Sequence, residues 1–516
     1  MLFLILSAGV LAFNIRGRAF GIDKFQAMDR PAKIYPDYSS TVVPPNIAPL
    51  NFMVQEMGSY YFAKIYSDKG TPIEISGRSP KILIPINRWH DLLDKNRGCE
   101  LRFDIFVKTD GAGWIKFAAI TNKIANENVD DYLVYRRLHP THTHTLGRIG
   151  LFQRNLNNFD EKLILDNRGN VITCVNCHAF GSNQPDRATI GVRCDKLEPR
   201  TLLINDAVVS KVDAKFGYTS WHPSGKLVTF SIDFLPPMFL HTVRDEVRDT
   251  FDANSAIACF TVDSKIVKAP QEISKKERME TWPAWSGDGR YLYFCTTPIT
   301  WTYQEKKFPP EGYDKLKYDL VRASYDIEKD KWGESEPVLS SKDTGLSISM
   351  PKVSPDNHWL VCCMHQYGYF STWQQSSDLY IVELKSAEKT GRFEYRRLEC
   401  NTDQSESWHT WSSNSRWIVF SSKGMNGAFT RSCISYIDEN GKAYKSIVLP
   451  QKDPEFYNYC LETFNVPEFI TGPITVTGER LAKIARGSAG ISIKIPITGA
   501  TPKTVVAPKS DHDTHE

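Results

Sequence analysis

Residues 174–178 of this 516-residue chain read Cys-Val-Asn-Cys-His, and this spacing of two thiols and an imidazole indicates a specific chemistry. C-x-x-C-H is the pattern at which a c-type haem is covalently attached. Cys174 and Cys177 would each form a thioether with one vinyl group of the porphyrin, and His178 would ligate the iron from the adjacent position. The motif therefore predicts one covalent haem c.

Two other uses of the cysteine pair compete with haem. The upstream residues His139, His142 and His144 could complete a Cys2His2 zinc site, although at an unusual spacing. A thioredoxin-like redox pair would need to open a helix after a strand, and the residues on either side of the motif do not read in that way. The spacing favours haem over both alternatives.

The composition is that of a folded globular protein, with 41% hydrophobic and 24% charged residues. Lys and Arg number 63 against 60 Asp and Glu, a balance that gives no indication of nucleic-acid binding. Nine further cysteines are scattered, and several lie in apolar stretches, which is not typical of a disulfide framework.

Residues 2–13 form the one long apolar run. It is too short for the roughly 20 residues of a membrane span and is typical of the apolar core of an export signal. Arg16 and Arg18 follow the run and no basic residue precedes it, which is the reverse of the usual arrangement, so a buried N-terminal strand is the alternative. We expect export to the periplasm or cell envelope, with no other membrane segment.

A repeated pattern organises the C-terminal part of the chain. Four units of strand, polar turn and apolar strand begin at Trp221, Trp285, Val353 and Trp411. Pro, Asp, Asn, Ser and Gly in the turn are typical of hairpins, and the spacing leaves room for four strands per unit, the size of a propeller blade. Weaker units at 177–212 and 457–505 bring the expected number of blades to six.

The pattern along the whole chain predicts an all-β protein in which a β-sandwich precedes the propeller. Residues 130–137 and 153–165 read as helical or mixed. The expected divisions are an export signal or anchor at 1–21, a Pro-rich extended segment at 22–50, the sandwich at 51–125, a bridging segment at 126–173, the propeller with C-x-x-C-H at its start at 174–505, and a disordered tail at 506–516.

The repeats resemble the TolB-like β-propeller family, whose blades carry a Trp-Ser-Pro-Asp-Gly type of turn. The sequences Trp-Ser-Gly-Asp-Gly at 285–289 and Val-Ser-Pro-Asp at 353–356 match it best, whereas the units at Trp221 and Trp411 depart from it in the turn. The order of Pro-rich start, β-domain, Asn-Cys-His and propeller also resembles a group of bacterial envelope proteins. This resemblance implies an architecture more than a reaction.

Alignment of Cys177 with Trp221 predicts which side chains share the central channel. Cys174 lies three residues before Cys177, and the same offset from the starts of the four repeat units gives Tyr218, Trp282, Met350 and Trp408. Together these residues are expected to form an aromatic collar with one thioether at one end of the channel. Met350 is accordingly the first choice for the distal iron ligand, since Met/His ligation is found in electron-carrying cytochromes. His142, His144 and a five-coordinate iron are the alternatives.

These observations predict an exported monohaem c-type cytochrome-like protein that works in electron transfer or redox sensing with a redox or envelope protein partner. The alternatives are an envelope interaction scaffold with a structural haem and a zinc-stabilised propeller. No enzymatic activity is favoured, because the chain contains no G-x-S-x-G nucleophile motif and leaves no room for a hydrolase domain.

Overall fold

A computed structural model describes residues 22–493, apart from 112, 140–147, 169–171, 195–198, 207, 235–236, 241–246, 251, 253 and 301–310. The expected export segment at 1–21, the tail at 506–516, and His142 and His144 lie outside the described residues. None of the described helices is long and apolar enough to cross a membrane.

The N-terminal part contains a seven-stranded and a three-stranded sheet that share a core with one helix. In the larger sheet β1, β9, β8, β10 and β3 follow one another, with β5 pairing β8 and β6; the smaller sheet has the order β2-β4-β7. The elements are β1 (Gln26–Pro31), β2 (Ile34–Tyr35), β3 (Val42–Val43), β4 (Phe52–Val54), β5 (Tyr60–Tyr66), β6 (Ile73–Gly77), β7 (Lys81–Ile82), α1 (Ile86–Lys95), β8 (Glu100–Thr109), β9 (Gly113–Ala118) and β10 (Ile120–Ile124).

Alternation along β8 explains this core. Its side chains at 101, 103, 105 and 107 are at most 1% exposed, whereas Asp104 and Phe106 on the other face are 9% and 8% exposed, so the odd-numbered face meets the core. The ring of Phe103 stacks on that of Phe52 from the smaller sheet at 5.7 Å between centroids. Trp89 of α1 is fully buried and its indole N–H donates to the Ile47 carbonyl at 3.0 Å. The sequence analysis did not predict this helix, and the Pro-rich segment 22–50 contributes three short strands.

The expectation that 130–137 and 153–165 are helical or mixed is wrong. These residues belong to an antiparallel meander of three strands: β11 (Tyr132–Leu138), β12 (Ile149–Asn155) and β13 (Glu161–Asp166). The segment 126–173 is therefore not only a connection between two parts of the protein. It forms part of a sheet, because β11 also pairs with a strand close to the C-terminus.

Six four-stranded sheets make up the remainder of the described strands, apart from one two-stranded hairpin. The strands are β14 (Ile172–Phe180), β15 (Arg187–Cys194), β16 (Arg200–Asn205), β17 (Val208–Val212), β18 (Gly217–Trp221), β19 (Leu227–Phe234), β20 (Pro237–Leu240), β21 (Val247–Thr250), β22 (Asn254–Thr261), β23 (Ile266–Lys268), β24 (Arg278–Trp285), β25 (Tyr291–Pro298), β26 (Asp319–Asp326), β27 (Lys331–Leu339), β28 (Ser347–Val353), β29 (Trp359–His365), β30 (Asp378–Glu383), β31 (Tyr395–Arg397), β32 (Glu406–Trp411), β33 (Trp417–Ser422), β34 (Arg431–Tyr436), β35 (Ile447–Val448) and β36 (Thr463–Ile470). The sheets have the orders β13-β12-β11-β36, β14-β15-β16-β17, β18-β19-β22-β23, β24-β25-β26-β27, β28-β29-β30-β31 and β32-β33-β34-β35.

The first strand of each sheet contacts the first strand of the next in a cycle. The contacts run from β14 through β18, β24, β28, β32 and β36, and β36 also contacts β14. This is a propeller-like all-β arrangement around a central channel. The sheet that contains β36 is completed by β11, β12 and β13, so the first and last strands of the ring along the chain share one sheet.

The expectation of a C-terminal unit at 457–505 is wrong in its composition, because among the described residues of this stretch β36 is the one strand of a sheet, with a single further bridge from Ile491 to Val212. The helix α5 (Gly478–Arg486) follows and packs against β13 and β17. Three shorter helices lie in loops, namely α2 (Ser341–Thr344), α3 (Leu384–Thr390) and α4 (Phe456–Tyr459).

The repeated turn has a physical explanation. The hydroxyl of Ser286 donates to Asp288 at 2.7 Å and accepts from the Tyr291 amide at 3.0 Å. The corresponding turn in the unit at Trp411 does the same with Ser412 and Asn414 at 2.7 Å, so the departure of this unit from the family pattern keeps the chemistry. Each turn thereby satisfies backbone groups that a tight hairpin leaves unpaired.

A candidate functional site in the central channel

Each of five inner strands carries one residue in the left-handed backbone region, and four of these are large. Their φ angles are 41° at Tyr218, 57° at Trp282, 53° at Met350, 53° at Trp408 and 53° at Val466. The strand register shifts at each of these positions, as in a β-bulge. Such backbone costs roughly 1–2 kcal/mol per residue, so the packing of the side chains must offset it. The bulges direct these side chains into the channel.

The predicted collar of Tyr218, Trp282, Met350 and Trp408 is confirmed. The ring of Trp282 lies 3.5 Å from that of Tyr218 and 5.4 Å from that of Trp408 between centroids. The sulfur of Met350 accepts from the Trp408 amide at 3.5 Å and from the Ser371 hydroxyl at 3.7 Å. The collar closes one end of the channel with aromatic and thioether groups.

The prediction that Cys174 belongs to the collar is wrong. In β14 the register shifts between Val175 and His178, so Asn176 occupies the position of Tyr218 and Trp282. Ala179, and not Cys177, therefore corresponds to Trp221. The error arose because β14 has no aromatic residue at these positions, and the alignment relied on the shared Cys-His and Trp-His dipeptides.

The two motif cysteines lie in different surroundings. Cys174 is buried in the apolar core of its sheet with Val134 and Ile190, and this burial raises the pKa of its thiol. Cys177 is half-buried and lines the channel beside His178 and Met350. Of the two motif cysteines, only Cys177 therefore lines the channel.

His178 is the least satisfied polar side chain in the channel. The imidazole is fully buried, and neither ring nitrogen makes a hydrogen bond of normal geometry. Burial lowers its pKa to about 3, outweighing nearby backbone groups of Val466 and Val134 that act in the opposite direction. The ring is therefore neutral at pH 7, with both nitrogens directed into protein and a lone pair available to a ligand.

Lys352 and Glu468 occupy the same level of the channel as His178, each two residues after the left-handed position of its strand. The Glu468 carboxylate accepts from the Phe180 amide at 3.0 Å, and burial raises its pKa to about 7 against the attraction of Lys352. Burial also lowers the pKa of the Lys352 amine. Sequence reasoning missed both residues, although their offset from Met350 and Val466 matches that of His178 from Asn176.

The channel has a narrow and a wide cavity that share Lys352 and Glu468. The narrow cavity, beside the collar, has a volume of about 50 Å³ and is lined by Cys177, His178 and Met350. The wide cavity opens toward the hairpin turns and has a volume of about 400 Å³. Small-molecule sites usually offer about 300–1,000 Å³, so only the wide cavity has that size in this conformation.

The donor atoms that line the narrow cavity suit a haem, whereas the volume of that cavity is too small for one. His178 supplies an imidazole, Cys177 a thiol and Met350 a thioether, all on one cavity, whereas the Cys174 thiol lies in the core of its sheet. The narrow cavity in this conformation leaves too little volume for a porphyrin, so a bound haem would require the collar side chains to take other positions. For the zinc alternative, the described residues contain no group of three or more His, Cys, Asp or Glu side chains that converge on one point.

No family model matches the sequence, and no curated protein matches it. Among solved structures, puromycin hydrolase is 14% identical at a TM-score of 0.35, with 61% of this chain and 45% of that chain covered. Oligogalacturonate lyase from Vibrio parahaemolyticus is 9% identical at 0.30, with coverages of 60% and 92%. Dipeptidyl peptidase 4 from Porphyromonas gingivalis is 13% identical at 0.31, with coverages of 58% and 43%. The chain thus spans less than half the length of two of these proteins.

Proposed function

We propose that the protein is an exported monohaem c-type cytochrome-like protein in which a closed, six-bladed, TolB-like propeller holds the haem for electron transfer or redox sensing. One observation carries this proposal. A buried imidazole whose ring nitrogens make no hydrogen bond of normal geometry lies in the same cavity as the Cys177 thiol and the Met350 thioether.

The free-energy cost of burying the His178 imidazole without a hydrogen bond of normal geometry supports the proposal that this side chain binds a ligand. A buried polar group without a hydrogen bond costs about 1–3 kcal/mol, so proteins rarely keep one without a use for it. A neutral imidazole with a free lone pair is the form that binds a metal ion. His178 would hold the iron, Cys177 and Cys174 would anchor the porphyrin, and Met350 is the nearest candidate for the distal position. The haem would supply a one-electron couple at the iron.

The surroundings support a protected centre. The collar of Tyr218, Trp282 and Trp408 separates the narrow cavity from one end of the channel, and burial of haem is one of the factors that sets its reduction potential. Because the narrow cavity is so small, we expect covalent attachment to precede closure of the ring. Folded protein made without haem should therefore not acquire covalent haem when hemin is added under reducing conditions.

The decisive experiment is haem staining of a denaturing gel, with protein made alongside the c-type maturation machinery. Replacement of either Cys174 or Cys177 with Ser should weaken covalent retention, and the double replacement should abolish it. Cys460→Ser is a matched control, because Cys460 is also half-buried but lies outside the motif. Purified wild-type protein that contains zinc and shows no Soret band would overturn the proposal and favour the zinc alternative.

A structural haem in an envelope scaffold is the second candidate, since the collar also plugs the channel. The reduction potential of the haem and the rate at which it exchanges electrons distinguish the two functions. Fast, reversible reduction by small-molecule electron donors supports electron transfer. A haem that such donors do not reduce supports a structural role.

A further inference from the structure

The wide cavity of the channel has features of a binding site that are independent of the haem motif. It lies on the side away from the collar, where Ser182, Thr219 and Gln184 contribute polar groups to its wall. A volume of about 400 Å³ is within the range of small-molecule pockets. The cavity thus has room for an organic molecule rather than for a few waters.

Lys352 is a cation without a partner on this cavity. Within the described part of the chain its ammonium forms no ion pair, and the Glu468 carboxylate on the same cavity is engaged by the Phe180 amide at 3.0 Å. An uncompensated charge in a partly buried site is costly, and an anion in the cavity would offset this cost.

The wall of the cavity also offers hydroxyl groups. Among the described residues, neither the Thr219 nor the Ser182 side chain has a hydrogen-bond partner, and both lie on the same cavity as Lys352. Such groups recognise hydroxyls on a ligand, whereas an apolar chain would leave them unpaired.

We propose that the wide cavity binds a small hydroxylated carboxylate, with Lys352 paired to the carboxylate group. Thr219 and Ser182 then contact the hydroxyl groups of the ligand. The site adjoins the proposed haem position, because Lys352 and Thr219 line both cavities, but none of its proposed ligand contacts belongs to the C-x-x-C-H motif. An experiment can therefore reject the proposed binding site without rejecting the haem proposal, and the reverse.

The test is calorimetric titration of the full-length protein with a panel of hydroxy acids from lactate to gluconate. Sorbitol is the uncharged counterpart of gluconate, and hexanoate is the counterpart without hydroxyls. At least one hydroxy acid should bind saturably and at least tenfold more tightly than both counterparts. Lys352→Met should reduce that affinity at least tenfold, whereas Lys385→Met, on an exposed helix position, should leave it unchanged.

Three results would overturn the proposal: no saturable binding by any member of the panel, equal binding of gluconate and sorbitol, or an unchanged affinity in Lys352→Met. If Lys352→Met fails to fold, Lys352→Gln provides the same loss of charge with a polar end group. Covalent haem content is measured on the same samples, so that loss of haem and loss of hydroxy-acid binding are scored separately.

Discussion

The Nε2 atom of His178 lies 3.8 Å from an Oε2 atom of Glu468, too far for a hydrogen bond, although both side chains are buried. Burial holds His178 neutral at pH 7 and raises the pKa of Glu468 to about 7. The two groups therefore face one another without transferring a proton or forming an ion pair, and His178 keeps its lone pair free for a ligand.

Glu468→Gln should change the pH dependence of stability. The pKa of this carboxyl is about 7 in the folded protein and about 4.3 when unfolded, so the folded state binds the proton more tightly. Its contribution is fully present below pH 4 and is lost as the pH rises through 7. The variant should match the wild type near pH 4 and exceed it by about 3–4 kcal/mol at pH 8, measured by urea unfolding. Glu439→Gln, at a highly exposed carboxylate, should show no such difference, and a constant offset at both pH values would contradict the prediction.

Trp282→Ala should destabilise the propeller more than an ordinary surface change. Trp282 is buried in the collar, and its indole N–H donates to the Tyr369 carbonyl at 3.2 Å. Truncation of a buried Trp costs about 3–5 kcal/mol in the free energy of unfolding. Tyr395→Ala, at a ring that is 40% exposed, should cost less than about 1 kcal/mol. Equal losses in the two variants by chemical denaturation would show that the collar does not stabilise the ring.

A chain that ends before Tyr457 should be insoluble. It lacks β36, so β11 loses its partner and β14 and β32 lose a neighbour in the ring. An open propeller exposes strand edges that promote aggregation. A chain that ends at residue 493 keeps β36 and α5 and is the control; it should remain soluble and unfold cooperatively. A soluble, cooperative product from the shorter chain would indicate independent modules instead.

Met350→Ala should remove a sulfur-to-iron charge-transfer band from the oxidised haem spectrum. The expectation follows from the position of Met350 on the cavity that also holds His178. Met364→Ala is a matched control, because Met364 is fully buried in the neighbouring strand β29 and does not line this cavity. An unchanged spectrum in Met350→Ala, together with conversion to high spin in His142→Ala or His144→Ala, would identify a histidine as the distal ligand.

The sequence by itself determined the repeating unit and most of the collar. Trp285, Ser286 and Asp288 act within one hairpin, and local turn chemistry is readable from adjacent residues. The collar residues Tyr218, Trp282, Met350 and Trp408 share one offset from their turns, so a simple alignment of the repeats located them.

Tertiary structure alone decided which residues from distant parts of the chain meet. The pairing of β11 with β36 joins segments more than 300 residues apart, and no local pattern encodes such a contact. The bulge in β14 shifts the register between Val175 and His178, and in the folded propeller Cys177 lines the channel whereas Cys174 lies in the core. Lys352 and Glu468 come to share one level with His178 only because the ring of inner strands closes, so their chemistry is a property of the assembled propeller.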